Sequence, residues 1–148
     1  MRANAQSRYK KITLDRKAVQ ELFVKVFLQS RSAPPERIVL DLDATDDPLH
    51  GHRQTSRPRR EGPAGRFFHG YYGNYCYLPL YIFCGDDLLC AKLRPSNIDA
   101  SAGALKEVQR LVAAIREKWP HVEITIRGDS GFCREPIMTG PSLFGRLV

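Results

Sequence analysis

Two aspartates follow apolar runs that have the composition of buried strands. Residues 37–43 (RIVLDLD) end in Asp43, and residues 122–127 (VEITIR) are followed at once by Gly128 and Asp129. Carboxylate oxygens are the preferred ligands of Mg²⁺ and Mn²⁺, and a pair of such ions can assist phosphoryl transfer, normally with a third carboxylate. Aspartate also forms turns, so each residue could instead have a purely structural role.

A third carboxylate, that of Asp41, lies two residues before Asp43. Alternate residues of a strand point to the same face, so Asp41 and Asp43 are expected to be neighbours. Two carboxylates on one face repel each other unless a cation or a proton lies between them, which favours a metal site. Asp46 and Asp47 come after the strand and are expected to be loop residues that face solvent.

Two predicted helices and a strand pair complete the pattern. Apolar residues recur at three- and four-residue spacing from Asp15, the expected N-cap, to Gln29, and again over about 101–119. Residues 75–84 (YCYLPLYIFC) predict one strand, in which Pro79 requires an edge position or a bulge, and residues 88–93 predict its hairpin partner. The apolar face predicted for the first helix consists of Ala18, Val19, Leu22, Phe23, Val26 and Phe27.

The order helix, strand, strand pair, helix, strand predicts how the aspartates meet. A strand that is reached through a helix favours a parallel crossover connection. If residues 122–127 pair with residues 37–43, Asp43 and Asp129 lie at the same edge of the sheet. Ligands of open α/β sheets bind outside the carboxyl ends of the strands, so this edge is the expected site of chemistry.

Length and charge narrow the class of protein. A chain of 148 residues is about one domain long, which excludes a large multidomain enzyme. The net charge of +7 is concentrated in residues 1–31, at net +6, and in residues 53–66, at net +4, which suits a polyanionic partner; a solvated surface is the alternative. No apolar run is long enough to span a bilayer, so we expect no membrane association and a cytoplasmic location.

The four cysteines form no C-x-x-C pair and have no nearby histidine at zinc-binding spacing. We therefore expect Cys76, Cys84, Cys90 and Cys133 to be reduced core residues rather than metal ligands.

Five blocks of sequence, in order, resemble the group 1 DDE transposases of bacterial insertion sequences. The blocks are residues 39–52, 65–72, 77–83, 93–103 and 127–132, and the likeness extends from about Arg8 to Met138. In that family the first catalytic aspartate precedes a small residue and Thr or Ser, as Asp43 precedes Ala44 and Thr45. The second precedes a short step to Gly-Phe or Gly-Tyr, as Asp129 precedes Ser130, Gly131 and Phe132.

The resemblance implies an α/β fold with a ribonuclease H-like mixed sheet and flanking helices, incomplete at its C-terminus. It also implies two divalent ions, Mg²⁺ or Mn²⁺, held by Asp43 and Asp129, and cleavage and strand transfer at transposon DNA ends. A homodimer is possible in the intact family. The expected organisation is an N-terminal helical segment over 1–35, a partial catalytic core over 36–138 and an aberrant tail over 139–148.

The sequence departs from the family at its third acid. The family carries a glutamate on a helix well downstream of the second aspartate, and the chain ends without such a helix. Glu135 lies only six residues after Asp129 and is not a substitute. We therefore expect a truncated transposase that is inactive alone, because two carboxylates leave the transition-state charge under-neutralised.

Two alternatives use the same residues differently. In a non-enzymatic DNA-binding remnant, phosphates would contact the arginines of residues 53–66, while the neighbouring aromatics Phe67, Phe68, Tyr71 and Tyr72 would stack on bases or, as we expect, fill the core. In a haloacid dehalogenase-like phosphatase, Asp41 would be the nucleophile and Asp43 the acid/base. The candidate DNA-binding arginines are Arg53, Arg57, Arg59, Arg60 and Arg66.

Overall fold

The computed structural model describes residues 14–49 and 67–133, which form two helices, seven strands and a short 3-10 helix. A four-stranded mixed sheet has the order β6-β5-β1-β7, in which only the β1–β7 pair is parallel. A second, three-stranded antiparallel sheet has the order β2-β4-β3. The elements are α1 (Arg16–Gln29), β1 (Arg37–Asp43), β2 (Asp47–Pro48), β3 (Phe67–His69), β4 (Asn74–Tyr77), β5 (Leu80–Cys84), β6 (Asp87–Lys92), α2 (Ala104–Lys118), β7 (Glu123–Gly128) and the 3-10 helix Ser130–Phe132.

The predicted mixed α/β sheet is confirmed. A first strand ends in an aspartate, an antiparallel hairpin and a helix follow, and the next strand pairs in parallel with the first. This is the order of elements that the ribonuclease H-like expectation requires. Gly85 has a φ of 60° in the two-residue turn between β5 and β6, a left-handed conformation that glycine adopts without steric cost.

The core lies between the four-stranded sheet and the two helices. Alternate residues of β1, β5 and β7 point toward the helices, and α2 buries one apolar stripe against them. The Phe27 ring of α1 meets the Trp119 ring at the end of α2 with 5.4 Å between centroids. The most buried side chains of this core include Leu40, Leu80, Ile82, Leu111, Ile115 and Ile124.

The predicted strand over residues 75–84 is wrong, because the chain changes sheets at Leu78 and Pro79. Residues 74–77 form β4 of the small sheet, and residues 80–84 form β5, a central strand of the large sheet. Pro79 lies between the strands, where its missing amide hydrogen costs no ladder hydrogen bond. The interruption brings the small sheet next to the end of β1.

Helix α1 begins after Asp15 as predicted, since that carboxylate accepts hydrogen bonds from the amides of Lys17 and Ala18. The predicted apolar face is only partly used: Leu22 and Val26 are 53% and 54% exposed. The helix instead buries Val24, Phe27 and Leu28. Its orientation is set by tertiary contacts with β6 and α2, such as the hydrogen bond from Gln20 Nε2 to the Ala91 carbonyl.

Three of the four cysteines are buried free thiols, as expected, and burial raises the pKa of Cys90 to about 11. Cys133 is exposed, so the expectation that it belongs to the core is wrong. No helix within residues 14–49 and 67–133 is both long and apolar enough to cross a membrane.

Candidate active site

The ends of β1 and β7 bring the two predicted site residues together. The strands are parallel neighbours with Leu42 opposite Gly128. Asp43 follows Leu42, and Asp129 follows Gly128. Neighbouring strands lie about 4.8 Å apart, so both aspartates stand at the same edge of the sheet. Both are exposed to solvent. Their proposed role as metal ligands stays a prediction.

Asp129 is held in place by the turn that follows it. Its Oδ1 atom accepts a 2.8 Å hydrogen bond from the amide of Gly131 and so caps the 3-10 helix, which is anchored by the buried ring of Phe132. The turn-forming role considered for this residue is therefore real. This role is compatible with a metal site, because the hydrogen bond to Oδ1 fixes the orientation of the carboxylate.

Gly131 is tightly packed against Asp129, which leads to a testable expectation. A Cβ atom at this position would lie 2.9 Å from Asp129 Oδ1 and 3.2 Å from the Cβ of Ala100, so Gly131→Ala must displace the carboxylate. We expect Mn²⁺ affinity to fall about tenfold, the lower limit for changes that misorient metal ligands. Isothermal titration should show no change for the control Gly70→Ala, whose Cβ would meet no atom within 4 Å.

Tyr72 lies over the same edge of the sheet. Its hydroxyl donates a 3.4 Å hydrogen bond to the carbonyl of Ala44, the residue after Asp43. Burial raises the pKa of Tyr72, and the charges of Asp46, Asp129 and Asp43 raise it further, so the hydroxyl keeps its proton at neutral pH. The phenol is therefore a fixed hydrogen-bond donor among carboxylates.

Asp46 belongs to this group, and the prediction that it faces solvent is wrong. The side chain is half-buried, and its Oδ2 atom accepts a 3.3 Å hydrogen bond from Asn74 Nδ2. The contact exists because β2 pairs with β4, which no local pattern in residues 44–49 indicates. Asp47, in contrast, is exposed as predicted, but it lies in β2 and not in a loop.

Asp41 has a partner that no local pattern in the sequence indicates. It lies opposite Arg127 in the β1–β7 pair, and both of its carboxylate oxygens accept hydrogen bonds from that guanidinium, which raises the pKa of Arg127. Because Arg127 supplies a positive charge beside Asp41, the spacing of Asp41 and Asp43 no longer favours a metal site by itself. An ion-paired Asp41 in a mixed sheet also gives no support to the phosphatase alternative.

The donor set fits a hard cation but is small. Asp43 and Asp129 offer the carboxylate oxygens that Mg²⁺ or Mn²⁺ prefers, with water able to fill other positions. Within residues 14–49 and 67–133, no group of three or more His, Cys, Asp or Glu side chains is arranged to hold a metal ion. The five candidate DNA-binding arginines, Arg53, Arg57, Arg59, Arg60 and Arg66, and Glu135 lie outside the described residues.

A comparison with protein families matches almost the whole chain. The family model described as "Transposase DDE domain group 1" matches residues 3–140, which include both aspartates and almost the whole chain. No curated protein matches the sequence.

Solved structures of the Mos1 transposase are similar at low identity. Its catalytic domain has a TM-score of 0.47 and 9% identity, covering 94% of this chain and 63% of that one. A paired-end complex with the left transposon end has a TM-score of 0.44 and 10% identity, covering 99% of this chain. A paired-end complex with Mn has a TM-score of 0.43 and 10% identity, covering 97%. This chain spans 46% of the Mos1 chain in both complexes.

Proposed function

The chain belongs to the family of group 1 transposase DDE domains, and we propose that it supplies two of the carboxylates for metal-dependent phosphoryl transfer on transposon-end DNA. The observation that carries the proposal is the parallel pairing of β1 and β7, with Leu42 opposite Gly128. This register places Asp43 and Asp129 side by side at the carboxyl end of two strands.

We assign a role to each residue of the proposed site. Asp43 and Asp129 would hold Mg²⁺ or Mn²⁺. A bound ion of this kind would activate an attacking oxygen and stabilise a leaving oxygen. The Gly131 amide orients Asp129. Tyr72 fixes the backbone after Asp43, because it donates its single hydroxyl proton to the Ala44 carbonyl.

We infer that the 148-residue chain does not carry out strand transfer by itself. Among the described residues, Asp43 and Asp129 belong to no group of three or more His, Cys, Asp or Glu side chains that could hold a metal ion. A site with one carboxylate fewer neutralises less of the charge that develops on a transferring phosphoryl group. Efficient joining of transposon ends by the purified chain in Mg²⁺ would contradict this inference, and a gain of joining when a glutamate-bearing helix is appended would support it.

The lack of a third ligand in the described residues also favours a second candidate, DNA binding without catalysis. In that case the arginines of residues 53–66 would bind phosphates, and the aspartates would contribute only repulsion. The candidates differ in how DNA affinity responds to divalent cations, because a metal ion between carboxylates and a phosphate converts repulsion into attraction.

The test measures the affinity of the full chain for duplex DNA in EDTA and in Ca²⁺, which binds oxygen ligands, at equal ionic strength. For a phosphoryl-transfer site we expect tighter binding in Ca²⁺, and we expect Asp43→Asn combined with Asp129→Asn to abolish that difference. In EDTA the double variant should bind DNA at least as tightly as the unaltered chain, since two negative charges are gone.

The matched control is Asp47→Asn, which removes one exposed carboxylate from β2 and should leave the response to Ca²⁺ unchanged. Salt-dependent DNA binding that is indifferent to Ca²⁺ in every variant would establish the second candidate instead.

A further inference from the structure

The hairpin formed by β3 and β4, hereafter the aromatic hairpin (residues 67–77), exposes large rings to solvent. Tyr71 is 87% exposed, Phe68 is 56% exposed and Tyr75 is 54% exposed. In the part of the chain that the structure describes, every exposed Phe, Tyr or Trp side chain lies on this hairpin. The expectation that the aromatics of this region fill the core is therefore wrong for Phe68 and Tyr71, while Phe67 and Tyr72 are half-buried.

The exposed rings belong to two aromatic pairs, of which the pair of Tyr71 and Tyr72 adjoins the carboxylates. Phe68 and Tyr75 are cross-strand partners with ring centroids 5.5 Å apart. Tyr71 packs edge-to-face on Tyr72, with centroids 5.0 Å apart, and Tyr72 is the residue that lies over the aspartate edge. Tyr71 is thus connected to the candidate active site through Tyr72.

The charges around the hairpin decide which part of a nucleic acid it suits. Residues 67–91 contain no lysine or arginine, and the neighbouring carboxylates of Asp43, Asp46 and Asp129 repel phosphates. Base faces are uncharged and stack well on aromatic rings. Residues 53–66, which directly precede Phe67 in sequence, carry a net charge of +4 that attracts the DNA backbone.

We propose that the aromatic hairpin stacks on unpaired bases of single-stranded DNA, with Tyr71 as the principal contact. The proposal rests on the proposed function, since a DNA end presented to Asp43 and Asp129 would pass Tyr72 and Tyr71. Stacking needs bases that are not paired within a duplex, so the hairpin distinguishes single-stranded from duplex DNA. It does so with little dependence on base identity, because every base has a stacking face.

The test compares the affinity of the full chain for a fluorescein-labelled 12-nucleotide single strand and for a duplex of the same length, in EDTA. We expect Tyr71→Ala to weaken single-strand binding about tenfold, within the range reported for loss of one stacked base, and to change duplex binding less than about twofold. Tyr71→Phe keeps the ring and should retain single-strand affinity. The dependence of affinity on salt should be the same in all variants, since no phosphate contact is removed.

The matched control is Leu22→Ala, which removes a similarly exposed apolar side chain, 53% exposed, from α1. The proposal is overturned if Tyr71→Ala binds the single strand as tightly as the unaltered chain does. It is also overturned if Tyr71→Phe loses as much single-strand affinity as Tyr71→Ala. Duplex binding with the expected response to Ca²⁺ would still support the proposed function in those cases. Failure to bind either form of DNA, in EDTA and in Ca²⁺ alike, would overturn both. Circular dichroism checks that the variants fold. Because Tyr71 is exposed, we expect its substitution to leave the fold unchanged.

Discussion

Asp43→Asn and Asp129→Asn should each weaken Mn²⁺ binding to the chain by at least about tenfold, and the double variant should show no specific binding. Asparagine keeps the shape of the side chain but removes the negative charge that a hard cation prefers. Changes that only misorient a metal ligand already cost about 10–100-fold, so loss of a ligand charge should cost no less. Electron paramagnetic resonance of free Mn²⁺ during a titration measures the effect directly.

Two other aspartates are controls for this result. Asp47 is exposed on β2, and Asp41 is already paired with Arg127. Asp47→Asn and Asp41→Asn should therefore retain the affinity for Mn²⁺. Equal losses in all four single variants would indicate diffuse attraction by negative charge, and the assignment of a site to Asp43 and Asp129 would then be wrong.

Arg94→Met should lower the free energy of unfolding by about 3 kcal/mol, the second large effect. Arg94 is only 4% exposed. Its Nε donates to the Leu78 carbonyl at 2.9 Å, and its Nη1 donates to the carbonyls of Ala100 and Ala102 at 2.8 and 2.9 Å. Methionine fills similar volume but donates nothing, so three carbonyls lose their donor. Urea denaturation followed by circular dichroism measures the change.

The reason for a large effect is the position of Arg94. Its hydrogen bonds connect two parts of the chain. One is Leu78, where the chain passes from the small sheet to the large sheet, and the other is the loop that contains Ala100, which packs near Gly131. Burial lowers the pKa of Arg94, and the charge of Asp99 opposes that effect, so the guanidinium remains charged. As a control, Arg116→Met removes one hydrogen bond to the Pro120 carbonyl at the surface and should cost less than about 0.5 kcal/mol. Similar losses in the two variants would contradict this account.

Much of the fold could be predicted because its signals are local. The alternating apolar residues of β1 and β7, the stripe of α2 and the Asp15 cap depend on neighbours a few residues away, and each is found where predicted within a few residues. The prediction of one strand over 75–84 failed because the composition of these residues suits either sheet. The segment is two strands because its two halves pair with different partners, which are distant in sequence. The prediction of which face of α1 is buried failed for a related reason. The helix has two apolar faces, and its contacts with β6 and α2 determine which of them is buried.

The sequence alone determined that Asp43 and Asp129 follow strands and that these strands are joined through a helix, which is why their meeting at one edge of the sheet could be predicted. Only the tertiary structure decided what surrounds them. Arg127 neutralises Asp41, Asn74 binds Asp46, and Tyr72 lies over the edge because strands far apart in sequence pair there. Such contacts join residues 28 or 86 positions apart, and no periodicity within a single element encodes them.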